Sequence, residues 1–434
     1  MSLMAVIFYS VSRKAEFSDI NIRESILSVV TSWVIICLAG TLPYVISRSI
    51  PSFINAFFES TSGFTTTGSS ILVDIEILPK SILFYRSLSH WIGGLGIILL
   101  VILILPTLNI GGYRIFTLES TLQEKTHPRL KDMAFRLLLI YLLLSGAEIV
   151  LLCAGGMNLF ESACHTFGTV ATGGFSPKNS SMAGYSPYLQ YVVMIFMLLA
   201  GMNFLMHYYL LKRNYKKITG NDELRFYLVF ILISGSLITG ILFFKTERSM
   251  ETAFRDSFFQ VLSILTSTGF ASSDYLTWPR ITWILLYFLL FMGACTGSTS
   301  GGIKMARHLL MLKNIRGTFK KMLNPNVISV IRLNGNEIPA GFMTKVITFI
   351  LLYLSVYAVS SLLLVTTGLD AETASSAVLT CMGNIGPGIG TVGPVNNFNH
   401  ITDFGKVLLS LLMIIGRLEI FSIFLVFTPA FWRK

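Results

Sequence analysis

The chain has 434 residues, 53% of them hydrophobic and only 13% charged, with a formal net charge of +11. A soluble globular domain carries about 25% charged residues, so the composition excludes an ordinary soluble enzyme and indicates a polytopic membrane protein. The basic excess does not form a nucleic-acid surface: 22 of the 33 Lys and Arg lie in loops 107–131, 212–225 and 304–345 or at the termini, which is the positive-inside pattern of cytoplasmic loops.

In chain order, residues 1–20 form an N-terminal stub whose apolar start is too short to span. Crossing a bilayer takes about 20 apolar residues. Eight stretches meet that length: 25–46, 81–106, 132–155, 187–212, 224–245, 277–313, 341–366 and 404–428. Between the members of each successive pair lies a shorter, mixed segment, at 51–64, 158–171, 252–267 and 370–384. A helix of about 12–16 residues reaches roughly 18–24 Å, too little to cross. Each short segment therefore reads as a re-entrant half-helix. Pro51-Ser52 and Asp370 open the first and fourth of them, and Pro79, Pro187 and Pro279 open the following helices. The unit is helix, half-helix, loop, helix. It occurs at 21–110, 111–213, 214–325 and 326–434. Asn324-Pro325 and Asn334-Gly335 make the segment 314–340 a loop rather than a domain. The five cysteines form no CxxC pair, so no zinc site or disulfide framework is indicated. The five tryptophans read as interfacial anchors.

A small polar stretch follows every half-helix: Thr65-Thr66-Thr67-Gly68, Val170-Ala171-Thr172-Gly173, Thr266-Ser267-Thr268-Gly269 and Gly383-Asn384-Ile385-Gly386. Irregular backbone is tolerated at membrane depth only where protein buries it or it lines a water-filled cavity. Four copies around one axis make a selectivity filter, in which backbone carbonyls replace a cation's water without a fixed charge. Gly68, Gly173, Gly269 and Gly386 are the expected hinges. Thr66, Thr67, Ala171, Thr172, Ser267, Thr268, Asn384 and Ile385 are the expected ion-facing positions beside them.

Two features break the fourfold pattern. The sixth stretch contains Gly293-Ala294-Cys295-Thr296-Gly297-Ser298-Thr299-Ser300-Gly301-Gly302. A packing stripe of Gly293, Gly297 and Gly301 explains one helical face, but not why the other faces are small too; a loop in a water-lined cavity does. Gly302 and Lys304 close that segment. Arg417 lies near the middle of the eighth stretch, where a charge costs roughly 2.5–3.5 kcal/mol on insertion scales. It reads either as functional or as half of an ion pair with Glu148 or Glu419. Glu59, Asp256 and Glu372 are weaker candidates for an outer cation field, and His90 and His207 read as packed core or interfacial histidines.

Gly63-Phe64-Thr65-Thr66-Thr67-Gly68, Ala171-Thr172-Gly173-Gly174-Phe175-Ser176, Ser267-Thr268-Gly269-Phe270 and Gly383-Asn384-Ile385-Gly386-Pro387-Gly388 resemble the motifs of the superfamily of potassium transporters that includes TrkH, KtrB and the plant HKT proteins. The likeness runs from about residue 20 and is strongest to the bacterial TrkH branch. It implies an all-α fold of four repeats around one pore, a homodimer, K+ as the transported ion and a bacterial inner-membrane location. It further implies an intramembrane gate at 293–302 facing Arg417, and a cytosolic TrkA-like ring that binds nucleotide on the basic face. No nucleotide is expected on this chain, which has no nucleotide-binding fingerprint. Members of that branch usually carry two more helices ahead of the first repeat, where this sequence has only a stub ending near Tyr9. A sodium or mixed monovalent-cation pathway is the alternative within the class. A secondary transporter of organic solutes predicts twofold or inverted repeats instead of four parallel ones. An intramembrane enzyme requires a catalytic cluster such as HExxH, and none is present.

Overall fold

A computed structural model of the chain describes residues 22–103, 127–327 and 330–433. The stub 1–20 and most of the basic loop 107–131 lie outside the described residues. Apart from a two-stranded hairpin, Arg332–Leu333 with Asn336–Glu337, the regular structure among the described residues is helical.

Four helices are long and apolar enough to cross a membrane among the described residues: Arg23–Ile46, Ala134–Ala154, Asp222–Lys245 and Gly341–Val365. One stands at the head of each expected unit. Each is followed by a half-helix: Phe53–Phe64, Leu159–Val170, Met250–Leu265 and Ala371–Gly383. Three half-helices start on a side chain that accepts from the first turn: Asn158 from Glu161 N, Ser249 from Thr252 N and Asp370 from Thr373 N. Such caps stabilise a helix end by about 1 kcal/mol. The half-helices are the buried part of the molecule. Ser60, Thr61 and Ser62 in the first, and Ser257, Gln260 and Ser263 in the third, are fully enclosed, whereas the long helices expose Leu139, Leu142, Leu143, Ile233 and Leu362. Polar residues inside and apolar residues outside is the arrangement of a chain whose surroundings are lipid.

The second helices of the units differ from one another. Lys80–Leu103 is continuous. The stretch expected as one span at 187–212 is instead two helices, Pro187–Ala200 and Phe204–Leu211, bent by 99°. Gly201 ends the first of them, and the Asn203 side chain caps the second by accepting from Leu205 N at 2.9 Å. The third unit breaks between Arg280–Leu289 and Met305–Leu323. The stretch expected as one span at 404–428 stops at Arg417 and restarts at Phe421, after Glu419 and Ile420 take positive φ values of 55° and 26°.

Candidate ion-conducting site

The four half-helices end alike. One residue turns left-handed, at Thr66 (φ 52°), Thr172 (54°), Ser267 (55°) and Asn384 (51°). The next amide then reaches back five residues: Thr67 N to Ser62 O at 2.8 Å, Gly173 N to Gly168 O at 2.7 Å, Thr268 N to Ser263 O at 2.8 Å and Ile385 N to Thr380 O at 2.9 Å. This is the Schellman closure, which usually has glycine at the left-handed position. For a β-branched threonine the conformation is a true outlier. Strain of about 1–3 kcal/mol per residue persists only where the surroundings over-determine it, typically at functional sites.

A second left-handed residue follows two positions later, and here it is always glycine: Gly68 (φ 85°), Gly174 (78°), Gly269 (82°) and Gly386 (100°). This corrects the second repeat by one residue: its hinge is Gly174 and not Gly173. Thr172 therefore matches Thr66, Ser267 and Asn384, while Gly173 matches Thr67, Thr268 and Ile385, and Ala171 falls one step earlier, level with Thr65. Gly173 has a different reason to be glycine, because a Cβ there would strike the imidazole of His90.

The hinge glycines touch one another's loops in cyclic order. A Cβ on Gly68 would meet the carbonyl oxygen of Gly173, one on Gly174 that of Thr268, and one on Gly269 that of Ile385. On Gly386 it would meet Thr67 O at 3.0 Å. Repeat one abuts two, two abuts three, three abuts four, and four returns to one, as four units around one centre require. All four glycines line one cavity of about 120 Å³. The loops are not identical in chemistry. Hydroxyl pairs Thr65–Thr67 and Thr266–Thr268, each at 2.7 Å, brace repeats one and three. Repeat four lacks that pair and ties to repeat one through Asn384 Nδ2, which donates to Thr67 Oγ1 at 2.9 Å. Thr66 Oγ1 and Asn384 Oδ1 are buried without a hydrogen-bond partner.

Residues 293–302 are non-helical, as their composition predicts, and touch the half-helix ends rather than lining the cavity. The loop is pinned at both ends. Gly293 N donates to Ile303 O at 2.9 Å and Met305 N to Ala294 O at 3.1 Å. Its middle reaches three half-helix ends: Thr299 Oγ1 donates to Val170 O at 3.1 Å, Gly301 N donates to Ser267 Oγ at 2.7 Å, and Gly301 lies against Gly383 O and the Asn384 side chain. Gly301 and Gly293 have no room for a Cβ, and Gly297 and Gly302 take φ values of 77° and 69°. Lys304 is buried and turns back into the loop, donating to Ser300 O and, at 3.0 Å, to Ser300 Oγ.

Arg417 is 2% exposed and pairs with no carboxylate among the described residues. It donates to Thr299 O at 2.7 Å and to Gly93 O at 3.1 Å, so it ties the loop to the second helix of repeat one. Neither expected ion-pair partner is used. Glu419 binds Arg307 at 2.5 Å, and Glu148 is buried and forms no ion pair among the described residues. Trp33 is inside the protein, its ring 6.0 Å from the Arg417 guanidinium carbon, not at an interface.

Glu223, which sequence reasoning passed over, proves to be the loop's clamp. It is buried, and one oxygen accepts from Thr296 N at 2.6 Å, Thr296 Oγ1 at 3.1 Å and Ala306 N at 3.0 Å. Its neighbour Asp222 accepts from Lys313 Nζ at 2.7 Å and from Asn334 N at 3.1 Å in the hairpin turn. The available signal was an acidic pair directly behind an Asn cap at the head of an apolar helix. Such a pair is ordinary helix-dipole chemistry, which hid its second role.

The weaker candidates separate clearly. Glu59 is buried in an ion pair with Arg86, Asp256 pairs with Arg248, and Glu372 is exposed. His90 stacks on Phe175 at 4.1 Å, and His207 bonds Leu199 O at 2.9 Å. No cluster of three or more His, Cys, Asp or Glu residues that could hold a metal ion occurs among the described residues.

Re-entrant half-helices meeting in a ring, inside a shell of apolar spanning helices, define a multi-pass membrane protein of the ion-transport class. The TrkH family model, described as a cation transport protein, matches residues 2–434. The Trk system potassium uptake protein TrkH of Escherichia coli K12 is 36% identical over 428 residues, 97% of this chain and 88% of that protein. TrkG of the same organism is 33% identical over 442 residues, 99% of this chain and 90% of that one. The crystal structure of the potassium transporter TrkH from Vibrio parahaemolyticus superposes with a TM-score of 0.87 at 34% identity, covering 97% of this chain and 87% of that one. The chain belongs to the TrkH family of cation transport proteins, and it is a transporter rather than an enzyme.

Proposed function

We propose that this chain takes up K+ across a bacterial inner membrane through the four-loop ring, with loops 107–131, 212–225 and 304–345 on the cytoplasmic side. The observation that carries the reading is the closed cycle in which each left-handed glycine packs on the next repeat's carbonyl. Left-handed residues alternate with ordinary ones at 66–68, 172–174, 267–269 and 384–386. That alternation turns successive peptide planes so that carbonyls share one side, which is what replacing a cation's hydration shell demands. The names of the relatives support potassium as the ion.

In the same reading 293–302 is a closed gate. It is bound to three of the four half-helix ends, and Arg417 adds a positive charge beside it. A buried cation in low dielectric repels a permeating one strongly. Opening requires the loop to leave Val170 O and Ser267 Oγ, and Arg417 to release Thr299 O. A cytosolic, nucleotide-binding TrkA-like partner fits the Trk system naming of the relatives, with the nucleotide held by that partner; the homodimer rests on the family resemblance alone.

The test is rubidium uptake by the full chain in proteoliposomes, with K+ and Na+ as competitors. Uptake blocked by K+ at concentrations where Na+ has little effect is the expected result. Equal competition would move the assignment to the mixed-cation alternative. Deleting 293–302, or replacing Arg417 with alanine, is expected to raise uptake; unchanged uptake in both removes the gate.

A further inference from the structure

The four loop junctions are not braced in the same way. Nine positions before the left-handed glycine, the half-helices carry Glu59, His165, Gln260 and Ala377. Of these four, Glu59 alone is paired to an arginine. Arg86 donates through Nε to Glu59 Oε1 at 2.8 Å, and both side chains are within 1% of complete burial. The same guanidinium donates to Ser70 Oγ at 3.3 Å and to Ser176 O at 3.3 Å. Ser70 and Ser176 are equivalent positions, each two residues beyond the left-handed glycine of its loop. Glu59 in turn accepts from Ser70 Oγ at 3.0 Å and from Ile71 N at 3.0 Å. One ion pair therefore grips the exits of both loop one and loop two.

The grip extends to Phe175, directly after Gly174. The Arg86 guanidinium carbon is 4.0 Å from the Phe175 ring centroid, and His90, one helical turn along the same helix, stacks on that ring. Elsewhere neutral bonds hold the corresponding junctions. Ala271 O accepts from Met182 N at 2.9 Å, Tyr275 Oη donates to Gly388 O at 2.5 Å, and Phe398 N donates to Ser70 O at 2.8 Å.

We propose that Glu59 and Arg86 are specificity-determining positioning residues: their ion pair fixes the separation of the first and second loops and thereby sets which monovalent cation the ring accepts. A carbonyl ring discriminates K+ from Na+ only if its oxygens are held from closing around the smaller ion, or if the number and field of those oxygens is fixed. Either way the separation of adjacent loops is the controlled quantity. A planar guanidinium with a forked set of donors holds three acceptors at once, one on the first half-helix and one on each of the two loops; a lysine ammonium, a compact charge on a flexible stem, does not. The pair contributes no charge to the pore, because it is neutral as a unit. Its effect is geometric.

The inference rests on the transport reading above, and its test separates the two. The full chain and the Arg86→Lys, Glu59→Gln and Ser70→Ala variants are reconstituted, and rubidium uptake is titrated with K+ and with Na+. A purely structural role lowers uptake while leaving the ratio of the two inhibition constants as it was. The brace predicts that Arg86→Lys narrows the ratio by about fivefold or more, as expected when a charge-assisted contact is lost. Ser70→Ala, which keeps the ion pair and removes one grip point, narrows it less. A ratio unchanged in both a transporting Arg86→Lys and a transporting Ser70→Ala overturns the brace and leaves the transport reading intact. Rubidium uptake absent from the unaltered chain speaks against the transport reading instead. For a variant that folds without transporting, the thermal shift of the purified protein in KCl against NaCl reads the same ratio. Equal shifts to those of the unaltered chain there also overturn the proposal.

Discussion

The ring of loops and the layer beside it follow opposite rules. In the ring, four sequences with little identity adopt one backbone: the same Schellman closure, the same left-handed residue, the same glycine two positions later. In the adjoining layer, four second helices of comparable composition take four different courses. One is continuous, one bends by 99°, one opens into residues 290–304 and one ends on Arg417. In the proposed reading, a cation at the centre demands the same thing of each repeat, and backbone geometry supplies it whatever the side chains. A closed gate at 293–302, as proposed, needs a specific part at a specific place, and the layer that would hold it departs from the repeat. On that proposal, what the repeats share serves selection, and where they differ serves control.

The sharpest way to break that contrast is to disturb the ring. Gly269→Ala places a methyl against Ile385 O at a left-handed residue, and Gly174→Ala does the same against Thr268 O. Each is expected to cut K+-selective rubidium uptake by roughly 100-fold, on the scale of the several kcal/mol that overpacking and a forbidden φ cost together. Uptake within a factor of two of the unaltered chain would mean that these glycines do not shape the conduction path.

The next largest effects belong to the other layer and carry the opposite sign. Arg417→Ala removes the donors to Thr299 O and Gly93 O, and basal uptake is expected to rise by roughly 5- to 150-fold, the range of a 1–3 kcal/mol shift between two states. Arg417→Lys keeps the charge without the two-pronged reach and should fall between. Glu223→Ala frees Thr296 and Ala306 together. Uptake should rise here too, by about fivefold for loss of roughly 1 kcal/mol of closed-state bias. If Glu223→Ala lowers uptake while the protein remains folded, the clamp holds the open rather than the closed loop.

The smallest effect is the control. Gly156 has φ 90°, much like the ring glycines, but nothing lies within 4 Å of where a Cβ would stand. Gly156→Ala is expected to cost about 1 kcal/mol of stability through strain alone, read as a lower melting temperature, with uptake per folded molecule unchanged. The comparison with Gly174→Ala separates the price of a left-handed φ from that of lost space beside the ring.

Much of the site was legible in the sequence because it is local. A half-helix too short to span, a cap such as Asp370, and a small polar loop ending in glycine all depend on residues a few positions apart, and each appears where it was expected. The small-residue run at 293–302 was legible for the same reason, since no helix needs ten consecutive residues without bulk. The register of the second loop was not. Gly173 and Gly174 are interchangeable on the page, and only the imidazole of His90, brought in from repeat one, decides that one is steric and the other conformational. The partners of Arg417 were hidden likewise. The sequence offered two carboxylates within plausible reach, and the structure bound the arginine to two carbonyls more than a hundred residues away.

By itself, then, the sequence determined that the chain crosses a membrane in four similar units, that each unit carries a constrained glycine loop, and that the third and fourth units differ from the rest. Hydrophobic length, helix capping and the conformational freedom of glycine are properties of short segments, and they act before any packing occurs. Tertiary structure alone decided which carbonyl each glycine faces, that Glu223 clamps the loop, and that Glu59 and Arg86 span two repeats. Those contacts join residues tens to hundreds of positions apart. They are fixed by how buried polar groups, with no water to turn to, find one another once the helices have packed.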